Sequence, residues 1–493
     1  MEFISGEGRN QIIMMPDCIE DYVGGNNSVR VIDAYINSLN LIELKFARAE
    51  LKDTGRPPYD PADLLKLYIY GYLNRVRSSR RLEAETKRNL EVIWLLGKLS
   101  PDHKTIAPFR HENGAALKNV FRDFAKLCDK LDLYGKELEA IDGSKFKAVN
   151  ARDRNFTKQQ IENKISKITE KIQRYMEELE ENDTAEEAAS GEKTKAEITE
   201  IINNLKGCQA RYQGYADELQ QTGEKQKSLT DGDSRLMTSN GRNMDVGYNV
   251  QTIVDAKHKL VIDFEVSNQG NDKNFITPMA ARAQEMLGTE TLTVVTDTGY
   301  ESIQDIMSAM GRGVEVHVAG TDFDICVPAA EGEQSEITGH HNGRCVYIAE
   351  RNIALCPMGK VLYPACHAKS RDELGVFRNS EACKQCACKC TKDASGIFKY
   401  KIPMEEKEFS KEYNDQNLAV KQVRIKPDKE IIKKRKSIVE HPFGTIKRSM
   451  DAAYCLTKGL RNVIGEFSLV FLAYNLKRVI NILGCQKMVA SMT

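Results

Sequence analysis

Asp142, Asp297 and Glu440 each sit in a short segment that suits a metal ligand. The segments are Ile141-Asp142-Gly143-Ser144, Val294-Val295-Thr296-Asp297-Thr298-Gly299-Tyr300 and Val439-Glu440-His441-Pro442-Phe443-Gly444-Thr445-Ile446-Lys447. The two aspartates end apolar, strand-like runs, and the glutamate falls in a helical pattern. Oxygen ligands from separate elements suit a hard cation such as Mg²⁺ or Mn²⁺. Two such ions, about 3.5–4 Å apart, activate an attacking oxygen and stabilise a leaving one in displacement at phosphorus. Asp142, Asp297 and Glu440 are therefore the candidate catalytic and metal-binding set. Taken singly, each has a plainer role. An aspartate at a strand end commonly caps a turn, and a glutamate on a basic helix commonly pairs with a neighbouring lysine.

The surroundings of Glu440 are basic. Residues 421–448 carry ten Lys and Arg against Asp428, Glu430 and Glu440, although the whole chain has a formal net charge of +0. Phosphate responds to the local stripe rather than to the total. Arg435 offers a bidentate fork, and Lys436 and Lys447 offer point charges, for phosphate groups. Lys447 follows Glu440 by seven residues, nearly two helical turns, so both are expected on one face.

A second cluster of chemistry-bearing residues is rich in cysteine. Cys383 and Cys386 have the spacing of a zinc knuckle, and Cys356 with Cys366 can supply the other pair of a structural Zn²⁺ site. The first pair is wider than usual, and Cys388 and Cys390 exceed the four thiolates one ion takes. Reduced cysteines on a surface insertion are the alternative. The total of thirteen cysteines is odd, which with their scatter favours a reducing cytoplasm over disulfides.

The elements that must position these groups follow from the chain's patterning. At 493 residues several domains are expected. No apolar run reaches the roughly 18 residues of a membrane span, and Met1-Glu2-Phe3-Ile4 does not begin a signal peptide. Residues 1–135 read as a helical domain, with helices opening at Pro61 and after Ser100-Pro101-Asp102. Arg75, Arg77, Arg80 and Arg81 make it either a helix-turn-helix-like DNA-binding module, gripping through Arg80 and Arg81, or a bundle with a solvated basic face. Residues 136–157 hold the first catalytic strand. In 158–222, Ile161, Ile165, Ile168, Ile172, Tyr175 and Leu179 step by four and three, and Ile198 to Leu219 resume that stepping. This predicts an antiparallel coiled-coil hairpin. Residues 223–324 read as strand, strand, helix, strand, helix, strand, with a hairpin turn at Asp255-Ala256-Lys257-His258. Residues 325–420 are the cysteine-rich segment, and 421–493 the C-terminal helices.

These segments together resemble a known family. The chain is similar to DDE-type transposases of bacterial insertion sequences. The resemblance runs from about Tyr59 to Arg478. It rests on Asn89-Leu90-Glu91-Val92-Ile93-Trp94-Leu95-Leu96, Pro101-Asp102-His103-Lys104-Thr105-Ile106 and Ile141-Asp142-Gly143-Ser144-Lys145. Further pieces are Val246-Gly247-Tyr248-Asn249-Val250-Gln251, Asn268-Gln269-Gly270-Asn271-Asp272, Asp297-Thr298-Gly299-Tyr300 and Val439-Glu440-His441-Pro442-Phe443-Gly444. The resemblance implies an α/β fold: an RNase H-like mixed sheet with helices, preceded by a helical N-terminal domain and carrying coiled-coil and cysteine-rich insertions.

It also implies a Mg²⁺-dependent enzyme with Asp142, Asp297 and Glu440 as its triad. The implied partner is double-stranded DNA, both the terminal inverted repeats of a mobile element and the target, with Arg435, Lys436 and Lys447 on its phosphates. A homodimer or higher oligomer would work in the bacterial cytoplasm, on the nucleoid when bound. Around the glutamate the family carries Tyr-x2-Arg-x3-Glu-x6-Lys. Lys447 matches its lysine, Lys433 and Lys436 stand where tyrosine and arginine are expected, and Arg435 is the nearest stand-in. Two other readings stay open: an inactive DNA-binding protein derived from such an element, and an RNase H-like nuclease.

Overall fold

The computed structural model describes residues 18–50, 57–184, 195–239, 243–320, short strands and turns between 323 and 425, and 427–492. Six helices come first: α1 (Ser28–Asn37), α2 (Pro61–Leu73), α3 (Ser79–Arg88), α4 (Leu90–Leu95), α5 (His103–Glu112) and α6 (Gly114–Lys130). Side-chain caps fix four of their starts, with Asn27 accepting from Val29 N at 3.0 Å ahead of α1. Asp60 accepts from Ala62 N ahead of Pro61, Asn89 from Glu91 N, and Asp102 from Thr105 N at 2.8 Å. Each satisfies an amide that the first helical turn leaves without a partner.

Strand β1 (Glu139–Lys147) opens the sheet. A short pair, β2 (Asn155–Thr157) and β3 (Gln226–Ser228), forms the base from which α7 (Lys158–Thr184) and α8 (Lys195–Thr222) project. The two helices run antiparallel. Ile161 packs with Leu219 at the base, and Ile172 with Ile198 and Ile202 further out. Then follow β4 (Arg235–Ser239), β5 (Asn243–Asp255), β6 (Val261–Ser267), α9 (Ile276–Leu287), β7 (Leu292–Thr296), α10 (Ile303–Met310) and β8 (Val314–Val318). The hairpin turn falls between β5 and β6, as its residues predict. Short antiparallel strands from Phe323–Pro328 to Ala419–Ile425 form a three-stranded and a six-stranded sheet. The chain closes with α11 (Lys429–Gly444), a π-helical turn at Thr445–Ser449, α12 (Leu460–Leu483) and α13 (Cys485–Ala490).

The central sheet has the order β4-β5-β1-β7-β8, with β6 also on the outer side of β5. β1 pairs antiparallel with β5 and parallel with β7. Asp142, Ser144 and Phe146 share one face of β1, and Gly143 and Lys145 the other. Phe146 meets Phe443 and Phe467 on the first face, so α11 and α12 cover it. Tyr300 and α9 lie on the second.

The helical region and the sheet share one apolar core. α12 is buried on nearly every face and joins them. It crosses α6 at a glycine pair: a Cβ on Gly465 would come within 2.8 Å of Gly114 Cα. Arg77, from the basic stretch, is no surface residue. It is buried 3.6 Å from the Glu466 carboxylate and donates to Tyr454 O at 3.0 Å. Asn475, also on α12, bonds both backbone groups of Val261 on β6. Among the described residues no helix is long and apolar enough to cross a membrane.

Candidate active site

Parallel pairing sets Glu139 beside Val294 and Ala140 beside Val295. Two residues further on, the same register brings Asp142 level with Asp297. Asp297 follows the last residue of β7 and caps a short turn, its carboxylate accepting from Gly299 N at 2.8 Å. Asp142 lies within β1. Burial, with Asp297 and Asp272 nearby, pushes its carboxyl up to about 7, while Arg435 pulls it down. Arg435, one turn before Val439 on α11, holds Nη1 3.6 Å from Asp142 Oδ1.

Lys447 also points inward. Its Nζ donates to Ser144 Oγ at 2.6 Å and to Lys145 O at 3.0 Å, and lies 4.5 Å from the Phe146 ring centroid. Burial pushes this ammonium down, and Asp142 draws it up. The expectation that Lys447 shares a face with Glu440 is corrected by this geometry. The π-helical turn at Thr445–Ser449 changes the angular phase over which the spacing of seven was counted.

Glu440 is placed differently from the two aspartates. Its side chain is 65% exposed and reaches back one turn to Lys436 at 3.7 Å. Ile438, Val439, Pro442 and Phe443 form the buried stripe of α11, and Glu440 is rotated by roughly 100° from Val439. Among the described residues no group of three or more His, Cys, Asp or Glu is close enough to hold a metal ion. The fold thus brings Asp142 and Asp297 together and leaves the Glu440 carboxylate on the flank.

The next residue is firmly held. Tyr474 gives its hydroxyl proton to Lys259 O at 2.7 Å, so His441 Nδ1, 2.8 Å from that hydroxyl, must donate to it. His441 Nε2 is then an acceptor facing Arg478 Nη1 at 3.4 Å.

For a cation, the donor chemistry at Asp142 and Asp297 is suitable. Both are hard oxygen donors, and one arginine is the only ion pair offsetting Asp142 among the described residues. A bound divalent ion would relieve the like-charge repulsion between them.

Other candidate residues fall in several places. Arg80 and Arg81 are exposed on the first turn of α3, and Lys436 is exposed beside Glu440. Cys383 is a half-buried free thiol, while Cys356, Cys366 and Cys386 lie outside the described residues. Three residues with no role in the sequence reading also stand at the site: Ser144, Gln251 and Asp272. Gln251 carried a signal, since it and Asn249 are carboxamides flanking Val250 in the middle of β5, and both are fully buried.

Residues 17–112 match the family described as Transposase domain (DUF772), and residues 355–480 match the family described as Transposase DDE domain. The second stretch contains Arg435, Glu440 and Lys447, and the two aspartates fall between the stretches. No curated protein matches the chain. A cryo-EM structure of the piggyBac transposase synaptic complex with hairpin DNA aligns at 10% identity and a TM-score of 0.29, over 95% of this chain and 79% of that one. A likeness of that degree does not speak for the fold.

Proposed function

The chain belongs with the DDE-type transposases, and from that premise we propose that it cuts the ends of a bacterial insertion sequence and joins them to target DNA. The observation that carries this is the parallel register of β1 and β7, which levels Asp142 with Asp297 beside a basic helix. The strand order around β1, antiparallel on one side and parallel on the other, supports an RNase H-like core.

In this reading Asp142 and Asp297 hold the divalent cation, and Glu440 joins them from α11. When bound, Mg²⁺ or Mn²⁺ supplies Lewis acidity and lowers the pKa of an attacking water. The chain's own groups do the rest. Arg435 and Lys447 keep positive charge beside Asp142, where a phosphate would approach. Lys436, Arg80 and Arg81 are placed for backbone phosphates further out. Cleavage releases a 3′-hydroxyl, and the same site then directs that hydroxyl at a target phosphodiester. Two ends must be processed together, so a dimer or higher oligomer assembles on DNA in the cytoplasm. Cys356, Cys366, Cys383 and Cys386 bind a structural zinc, which metal analysis of the purified chain measures.

The test is to incubate the purified chain with its own terminal inverted repeats, with and without Mg²⁺. Cleavage that needs the metal and disappears in Asp297→Ala is expected. Wild-type cleavage by Asp297→Ala would refute the site. A second reading, a non-catalytic DNA-binding protein derived from a transposase, is favoured by the exposed position of Glu440. It predicts end binding with no strand transfer at any Mg²⁺ concentration.

A further inference from the structure

Asp272 has no part in the reading above, yet it is built into the same end of the sheet. Its Oδ1 accepts from Asn249 Nδ2 at 2.7 Å and from Gln251 Nε2 at 2.8 Å. Gln251 is fixed in turn by Tyr300, whose hydroxyl donates to Gln251 Oε1. Lys145 Nζ lies 3.8 Å from Asp272 Oδ2. Carboxamides buried this completely need acceptors for their N–H groups, and one carboxylate oxygen serves both.

Two glycines clear the space for it. A Cβ on Gly143 would come within 2.7 Å of Asp272 Oδ1 and 2.2 Å of Gln251 Nε2. A Cβ on Gly299 would come within 3.4 Å of Asp272 Oδ2 and 3.0 Å of Asp297 Oδ1. The residue after Asp142 and the residue two past Asp297 therefore make room for the same carboxylate. Gly143 and Lys145 face the opposite side of β1 from Asp142. Asp272 stands behind the strand and touches both aspartate-bearing segments.

We propose that Asp272 is a positioning residue of the catalytic centre. It braces β1 against the Asp297 turn and adds a fixed negative charge that favours a divalent cation at Asp142 and Asp297. This rests on the metal-dependent reading of that site.

The test titrates Mn²⁺ into the full chain, following both its thermal midpoint and the cleavage of terminal-repeat DNA. Asp272→Asn keeps an acceptor oxygen for Asn249 and Gln251 but loses the charge. Its half-saturating Mn²⁺ concentration should rise about tenfold or more in both readouts, with DNA-end binding in chelator unchanged. A wild-type Mn²⁺ titration in Asp272→Asn overturns the inference. Asn249→Ala leaves every carboxylate in place and guards against a folding defect. It should shift the titration in the same direction by less, and no shift overturns the bracing. A wild-type chain with no Mn²⁺ response, indistinguishable from Asp142→Ala, brings down the metal-dependent reading as well.

Discussion

Asp142 and Asp297 stand on neighbouring parallel strands, where backbone hydrogen bonds set their relative height. Glu440 stands on α11, which meets those strands through side chains alone. A strand register slips only in whole residues, and a slip of one turns every side chain to the other face. A helix packed on a sheet has its rotation set by its side chains, here by the buried stripe of Ile438, Val439, Pro442 and Phe443 and by His441 held to Tyr474. The strand register delivers its two carboxylates together in the free chain. The helix leaves its carboxylate with Lys436. On the proposed function the site is half formed by folding, and bound DNA would supply the competing phosphates that release Lys436 from Glu440.

The largest effect bears on that contrast directly. Asp142→Ala should lower Mg²⁺-dependent cleavage of terminal DNA by at least about a thousandfold, and Glu440→Ala should match it once DNA is bound. A Glu440→Ala enzyme cutting at the wild-type rate would show that the helix carries no ligand. The next effect loosens the helical layer. Arg77→Met strands the buried Glu466 carboxylate, which also accepts from Leu456 N and Thr457 N. Removing one partner of such a pair costs about 3–5 kcal/mol. Urea unfolding followed by the fluorescence of Trp94, the single tryptophan, measures this.

The third prediction concerns the start of β1. Glu139 is fully buried with neither carboxylate oxygen hydrogen-bonded, and burial followed by Asp255 raises its pKa from 4.5 to about 8. Between those values the folded state binds the proton that the unfolded state releases, so stability falls as pH rises from 4.5 to 8. Glu139→Gln should remove that slope and gain a few kcal/mol at pH 8, read from unfolding midpoints across pH. The smallest effect is a control on the exposed face of α3. Arg80→Ala with Arg81→Ala should weaken DNA binding evenly across sequences and reduce the salt slope by about one to two. A changed cleavage rate at saturating DNA would place these arginines nearer the chemistry than α3 suggests.

Much of the fold was legible because its signals are local. Asp60-Pro61 and Asp102 start helices by capping, and alternating apolar residues mark β5 and β6. The apolar run ending at Asp297 marks β7. The long-range effects were not legible. Arg77 reads as part of a basic surface, and only α12 folding over it supplies the Glu466 partner that buries it. Lys447 reads as sharing a face with Glu440, and beyond the π-turn its ammonium instead meets Ser144.

The amino-acid order determined that Asp297 ends a strand, which helix is basic and where the chain turns, because capping, alternation and charge act over a few residues; Asp142, read as ending its run, lies inside β1. Which carboxylates meet was decided by tertiary structure. The β1–β7 register and the glycine-lined space holding Asp272 depend on segments far apart in the chain, and no local rule measures the distance between them.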